Sequence, residues 1–367
     1  MNKLNREKFD ASKVDVNMKI SDYVKEDLNW YSPFNKPFRI LGFQWINEEH
    51  IYRRLPTTPK YKISEGVDAG ANCTAGGQIR FKTDSTSISI KVKLSGAANM
   101  YHMAATGQCG FDCYIGYGEM PIFCSSTKYD HTKDEYQYEF YNNPEDKRIK
   151  DIILNFPLYQ GVREVLVGLD SEAYLYNPKE LNNENKIVFY GTSITQGGCA
   201  SRPGMCYTNI LSRKLNMECI NLGFSGNGKG EVEIAEIINT INNVSCIVID
   251  YEANCITTEL YRATLPKFIE KLREKDKDVK ILLLPMVYSS KDLFYKQNKI
   301  NKEERLIFMK EVYEDFRNKG DKNIHFYDIR KAIGEDFYEA TVDGVHPTDY
   351  GFYIMAKVLY KEIIKII

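Results

Sequence analysis

The stretch Ile187-Val188-Phe189-Tyr190-Gly191-Thr192-Ser193-Ile194-Thr195-Gln196-Gly197-Gly198 sets the grammar of the chain. Four β-prone residues run into a Gly, a Thr and a Ser, and a Gly pair follows, which predicts a buried strand ending in a loop. Ser193 thereby falls at the carboxyl end of a strand. Open α/β sheets gather ligands in the crevice outside those ends, and a helix starting just afterwards aims backbone N–H groups at the serine oxygen. Such a serine can act as a nucleophile; the plain alternative is a helix cap.

From this stretch to the carboxyl end the text alternates strand, helix, strand. Strands are expected at 187–190, 218–222, 246–250, 279–284 and 323–327, and a last helix at about 349–364. The runs Cys246-Ile247-Val248-Ile249 and Ile281-Leu282-Leu283-Leu284 are continuous rather than alternating, as in parallel strands covered on both faces. The expected fold over 186–367 is a doubly wound parallel sheet. After its fifth strand comes Asp343-Gly344-Val345-His346-Pro347-Thr348-Asp349-Tyr350-Gly351. Asp343 and His346 stand three positions apart in a Gly- and Pro-containing loop, so the carboxylate can hold the imidazole while its other nitrogen faces a hydroxyl. Ser193, Asp343 and His346 then make a hydrolytic triad. Gly226 follows the second strand and Asn254 the third, so all five residues are expected along one edge of the sheet.

These blocks resemble those of the SGNH or GDSL-type esterases and acylhydrolases. Gly191-Thr192-Ser193-Ile194 is similar to the family's nucleophile block, Asn221-Leu222-Gly223-Phe224-Ser225-Gly226-Asn227-Gly228 to its glycine block, Asp250-Tyr251-Glu252-Ala253-Asn254 to its asparagine block, and Asp343-Gly344-Val345-His346-Pro347 to its last. The resemblance implies a flavodoxin-like sheet, Ser193 as nucleophile, His346 as base and Asp343 as its orienting partner. It also implies an oxyanion hole from Ser193, Gly226 (backbone N–H) and the Asn254 amide, with no cofactor. Two positions depart from the common wording: Thr192 stands where the family has Asp, and Glu252 where it has Gly. Gly110-Phe111-Asp112-Cys113-Tyr114 is similar to the Gly-x-Asp-Leu-Tyr signature of a two-domain branch with an amino-terminal β domain, Cys113 replacing Leu.

The amino-terminal half agrees with a β domain. Ile88, Ile90, Val92 and Leu94 alternate with Ser89, Lys91 and Lys93, a half-buried strand. Further strands are expected at 38–43, 79–81, 111–117, 136–140 and 151–154. Short strands with turn signals between them argue for an antiparallel, jelly-roll-like sandwich of roughly six to nine strands over 37–176. Residues 1–36 form a lead-in arm, and the polar Asn177-Pro178-Lys179-Glu180-Leu181-Asn182-Asn183-Glu184-Asn185 marks the boundary.

The chain has 367 residues, 43% hydrophobic and 27% charged, ordinary for a globular protein of two domains. Lys and Arg number 49 against 50 Asp and Glu, a net charge of −1 that argues against a nucleic-acid partner. A polar opening and the lack of a membrane-length apolar run imply a cytoplasmic protein with no membrane partner. Nine Cys are scattered without CxxC pairs; Cys109 and Cys113 lie closest together but have no His beside them, so no metal is expected.

The reading is a serine esterase acting on short acyl esters, acetyl above all, of a small molecule or glycan. Alternatives are a lysophospholipase or thioesterase, and a glycan-binding protein that has lost activity. Arg202, Glu252, His102 and Arg54 are candidate substrate-binding residues; a salt bridge for Arg202, a buried packing role for His102 and an edge-strand arginine pair for Arg53 and Arg54 stay open. A homo-oligomer is compatible with the sequence.

Overall fold

A computed structural model describes residues 14–20, 23–60 and 62–367. Ten antiparallel strands precede the boundary: β1 (Leu28–Tyr31), β2 (Arg39–Leu41), β3 (Gln78–Thr83), β4 (Ser87–Leu94), β5 (Asp112–Gly116), β6 (Ile122–Ser126), β7 (Glu135–Asn142), β8 (Lys150–Asn155), β9 (Val162–Asp170) and β10 (Leu175–Tyr176). They form two sheets, β1-β9-β4-β7 and β10-β3-β8-β5-β6, with β2 added to β3. The alternation in β4 does what its pattern requires. Ile88, Ile90, Val92 and Leu94 are buried in the sandwich core with Phe81, Phe111, Leu154 and Val167, while Lys91 and Lys93 face water.

Nine of these strands, β2 to β10, lie within residues 37–176, at the upper end of the expected six to nine, and the arm is not wholly an arm. Its residues 28–31 pair antiparallel with β9 as the sheet's edge strand, and its residues 1–13 lie outside those described.

The carboxyl-terminal sheet consists of β11 (Lys186–Gly191), β12 (Glu218–Gly223), β13 (Val244–Asp250), β14 (Lys280–Leu283) and β15 (Ile324–Phe326). All pairs are parallel and the order is β12-β11-β13-β14-β15, the flavodoxin-like arrangement with its switch point between β11 and β13. Ile187, Val188, Phe189 and Tyr190 of β11 are all fully buried. Val188 and Tyr190 face one core, covered by the helices Val232–Ile238, Thr258–Lys275 and Lys296–Asn318. Ile187 and Phe189 face the other, covered by Tyr207–Leu215 and Asp349–Ile363. Burial on both faces is why these strands read as continuous apolar runs.

The two halves share their cores. Leu55, Val67 and Ala71 from the amino-terminal half pack with Tyr190 and Phe224, and Ala75, Met103 and Leu158 pack with Phe189 and Ile194. Fully burying a side chain of Leu or Val type stabilises by about 1.5–3 kcal/mol, so these contacts hold the halves together firmly. The approach is close enough that a Cβ on Gly107 would sit 2.0 Å from the Ala200 carbonyl oxygen.

Candidate active site

Ser193 begins the helical turn Ser193–Gln196 directly after β11. Thr192 caps that turn: its hydroxyl accepts from the Ile194 N–H at 3.2 Å, and its own N–H donates to the Thr195 hydroxyl at 3.3 Å. Thr at this position therefore serves as an N-cap, a position that favours Asp as well. Thr195 in turn donates to the Asp250 carboxyl at the end of β13, at 3.1 Å. The turn that presents the nucleophile is thus tied to the neighbouring strand across the switch point.

His346 Nε2 lies 2.8 Å from Ser193 Oγ, and its Nδ1 lies 2.7 Å from Asp343 Oδ2. The other Asp343 oxygen accepts from the N–H groups of His346 (2.8 Å) and Val345 (3.0 Å). Partial burial works to raise the Asp343 carboxyl, but these hydrogen bonds and the imidazole outweigh it and hold it below its ordinary value. The carboxylate therefore stays ionised and fixes the imidazole with Nε2 toward the serine. Gly198 leaves room for the ring, since a Cβ there would meet His346 Cδ2 at 3.2 Å and the Tyr159 hydroxyl at 2.8 Å.

The glycine loop packs over this turn. Phe224 N–H donates to Gly191 O at 3.0 Å and Ser225 N–H to the Gln196 side-chain oxygen at 3.0 Å. Gly226 has φ +65°, and a Cβ there would meet nothing within 4 Å, so the residue faces open space. Among the described residues nothing accepts from the N–H of Ser193 or Gly226, which leaves both free for a bound oxygen. Asn254 differs from the expectation. Its amide donates to the carbonyls of Phe224 (2.9 Å), Gly228 (3.2 Å) and Asn227. In this structure it holds the loop that carries Gly226 rather than pointing into the cleft.

Of the four substrate-binding candidates, only His102 is brought to the triad. Its ring centroid lies 5.8 Å from that of His346, and its Nδ1 is buried without a hydrogen-bond partner among the described residues. Arg54 is fully buried and donates to the carbonyls of Cys73 (2.8 Å), Asn221 (3.1 Å), Gly223 (2.5 Å) and Gly70 (2.6 Å). It clamps the helix Glu65–Ala71 to the end of β12, so a substrate role is excluded. Arg202 pairs with Asp112 at 2.9 Å, donates to the Tyr114 hydroxyl oxygen at 2.6 Å, and lies over the Phe123 ring at 3.7 Å. Asp112 also accepts from Gly204 N–H (2.7 Å) and the Asn155 amide (2.7 Å). The Gly-x-Asp-Leu-Tyr-like motif is therefore a lock on the loop that follows the nucleophile. Glu252 is 2% exposed; its carboxyl accepts from Met286 N–H at 3.1 Å, and burial pushes it up to about 7. Within the asparagine block its side chain is turned inward, not into the cleft.

Asp250, at the end of β13, is a second buried acid in the asparagine block. Burial pushes it up to about 8, against the Thr195 hydrogen bond and with the help of Glu252. The Tyr159 hydroxyl, which donates to Ser193 O at 3.1 Å, carried no signal in the sequence. Cys109 and Cys113 are buried in the sandwich core.

Together, a serine with its base at the switch point of this sheet defines a hydrolase of the GDSL class. Residues 184–365 match the GDSL-like lipase/acylhydrolase family, and residues 28–175 match the amino-terminal domain of SGNH hydrolase-type esterases. The chain belongs to this family in its two-domain form and is a carboxylic ester hydrolase. It is similar to a protein of Bacteroides ovatus described as a GDSL-like lipase: 28% identity, 92% of this chain and 98% of that one, TM-score 0.84. The salicylyl-acyltransferase SsfX3 of a tetracycline biosynthetic pathway shares the fold at 19% identity, over 93% and 98% of the two chains, TM-score 0.76. An acetyl xylan esterase of Butyrivibrio proteoclasticus shares it at 12% identity, over 92% and 99%, TM-score 0.59. No curated protein sequence matches the chain.

Proposed function

We propose that this chain is a serine esterase that removes short acyl groups, acetyl above all, from a carbohydrate. The observation that carries the reading is the continuous relay from Asp343 through His346 to Ser193, with contacts of 2.7 and 2.8 Å. In it His346 takes the Ser193 proton as the oxygen attacks the acyl carbon, then returns it to the departing alcohol. Water, activated by the same imidazole, attacks the acyl-serine and releases the acid. The N–H groups of Ser193 and Gly226 stabilise the oxyanion, each such donor contributing about 3 kcal/mol in enzymes where one was removed. Asn254 keeps the Gly226 loop in place.

The acetyl reading is supported by the openness of the site. The His346 and Asp343 side chains are 20% and 26% exposed, so the scissile bond meets the triad near the surface rather than at the end of a tunnel. The carbohydrate is suggested by fold relatives described as an acetyl xylan esterase and as a Clostridium thermocellum carbohydrate esterase in complex with cellohexaose. A cytoplasmic setting would suit small imported oligosaccharides; among the described residues no helix is long and apolar enough to cross a membrane.

One feature favours a longer acyl chain as the second reading. The Ser290 hydroxyl donates to Gly344 O at 3.2 Å in the loop between Asp343 and His346, and the exposed Leu293 and Phe294 follow it. Hydrolysis of p-nitrophenyl acetate, butyrate, octanoate and laurate separates the two. Highest kcat/KM on acetate, followed by acetate release from acetylated xylan oligosaccharides, supports the first; a rise toward laurate overturns it.

A further inference from the structure

Three elements meet beside the triad. His102 comes from the sandwich half, Cys199 from the loop after the nucleophile turn, and His346 from the base loop. One ligand atom from each lies within 4.8 Å of the other two, a separation found for no other His, Cys, Asp or Glu trio among the described residues. The His102 Nδ1 is buried and has no hydrogen-bond partner among the described residues, a costly arrangement for a polar atom unless something binds it. Cys199 adopts a left-handed backbone conformation, φ 72°, uncommon for a residue other than glycine.

We propose that His102, Cys199 and His346 form an inhibitory site for a borderline-soft divalent cation of the Zn²⁺ type. Two imidazoles and a thiolate are the donor set such ions favour, whereas Mg²⁺ and Ca²⁺ favour oxygen. In a tetrahedral Zn²⁺ site, neighbouring N and S ligands stand about 3.3–3.7 Å apart, so a pair at the full 4.8 Å needs to close by about 1.1–1.5 Å, within reach of rotamer adjustment. On coordination the Cys199 thiol gives up its proton to solvent and its sulfur lone pair bonds the metal; nothing is oxidised or reduced. The fourth position is left for water. The neighbouring Asp343 carboxylate adds favourable charge.

The consequence for catalysis follows from the geometry. Taking His346 through Nε2 removes the base from Ser193, and taking it through Nδ1 removes it from Asp343; either way the relay is broken. Inhibition thus rests on the esterase reading, but coordination does not.

The test uses the full chain and two readouts. Acetyl ester hydrolysis is measured against ZnCl₂, with MgCl₂ as control, and the absorption of the protein is recorded with CoCl₂ for a thiolate-to-cobalt band. The expected results are inhibition by micromolar Zn²⁺, reversed by a chelator and absent with Mg²⁺, together with a thiolate band. Cys199→Ser should keep basal turnover, require at least about tenfold more Zn²⁺, the equivalent of 1.4 kcal/mol, and lose the band. Cys124→Ser, which alters a half-buried thiol elsewhere, should behave as the wild type. Equal Zn²⁺ sensitivity of Cys199→Ser, or a cobalt band surviving in it, would overturn the proposal. If no ester is hydrolysed, the catalytic reading fails while the cobalt spectrum still decides the site.

Discussion

The two halves of this molecule share a core yet divide the labour unequally. The parallel sheet supplies every member of the relay and both N–H groups proposed as oxyanion donors, on loops at the carboxyl ends of β11 and β12 and beyond β15. The sandwich supplies clamps: Arg54 on the end of β12 and Asp112 on the loop after the nucleophile. Only His102 crosses from the second role toward the first. The difference teaches that the signature of the amino-terminal half is a device for holding active-site loops in place, and that changes there should act on stability before chemistry.

The sharpest way to break this division is to cut each side separately. Ser193→Ala should lower kcat by at least about 10⁴-fold and leave the thermal midpoint unchanged, measured by steady-state hydrolysis and calorimetry. Asp112→Ala should do the reverse in kind. It strands a guanidinium that is 17% exposed, and breaking a buried pair in this way costs about 3–5 kcal/mol. Chemical denaturation should show that loss, and Asp112→Ala combined with Arg202→Met should recover much of it. A stable but inactive Asp112→Ala protein would give the sandwich a chemical role that this account denies it.

Asn254 lies between the two classes. Asn254→Ala should reduce kcat about tenfold and also lower stability by about 1 kcal/mol, since it removes the side-chain donor from the part-buried carbonyls of Asn227 and Gly228. A fall in kcat with no change in melting temperature would make it an oxyanion donor alone. The smallest effect concerns pH. Asp250 keeps its proton in the folded chain up to about 8, against an ordinary value of 3.8. Across that window the folded state binds more protons than the unfolded one, so stability should fall as pH rises through it. Asp250→Asn should flatten the slope in melting curves taken between pH 5 and 9.

The parallel sheet was legible because its physics leaves a local trace. A strand buried on both faces must be apolar throughout, and Cys246-Ile247-Val248-Ile249 is; Ser193 was legible because it follows such a run, Ile187–Tyr190, at the strand's carboxyl end. The sandwich left weaker traces. In β9 the outward Arg163 and Glu164 are adjacent, and the register with β4 shifts between Lys93 and Leu94, which breaks the alternation that identifies a strand. β6 is a partly exposed edge strand. The roles of Arg54, Arg202 and Glu252 were not legible because burial and partner identity are set across the fold: the Asp112 that holds Arg202 lies 90 positions away. Asn254 was legible as part of the site, but the acceptors its amide meets were not.

The central claim is that an acyl group passes through Ser193. Rapid acid quenching during turnover of p-nitrophenyl acetate, followed by peptide mass spectrometry, tests it directly. One acetyl group is expected on the peptide containing Ser193 in the wild type during turnover, and none in Ser193→Ala. Acetylation of another residue in step with turnover, or undiminished hydrolysis by Ser193→Ala, would contradict it.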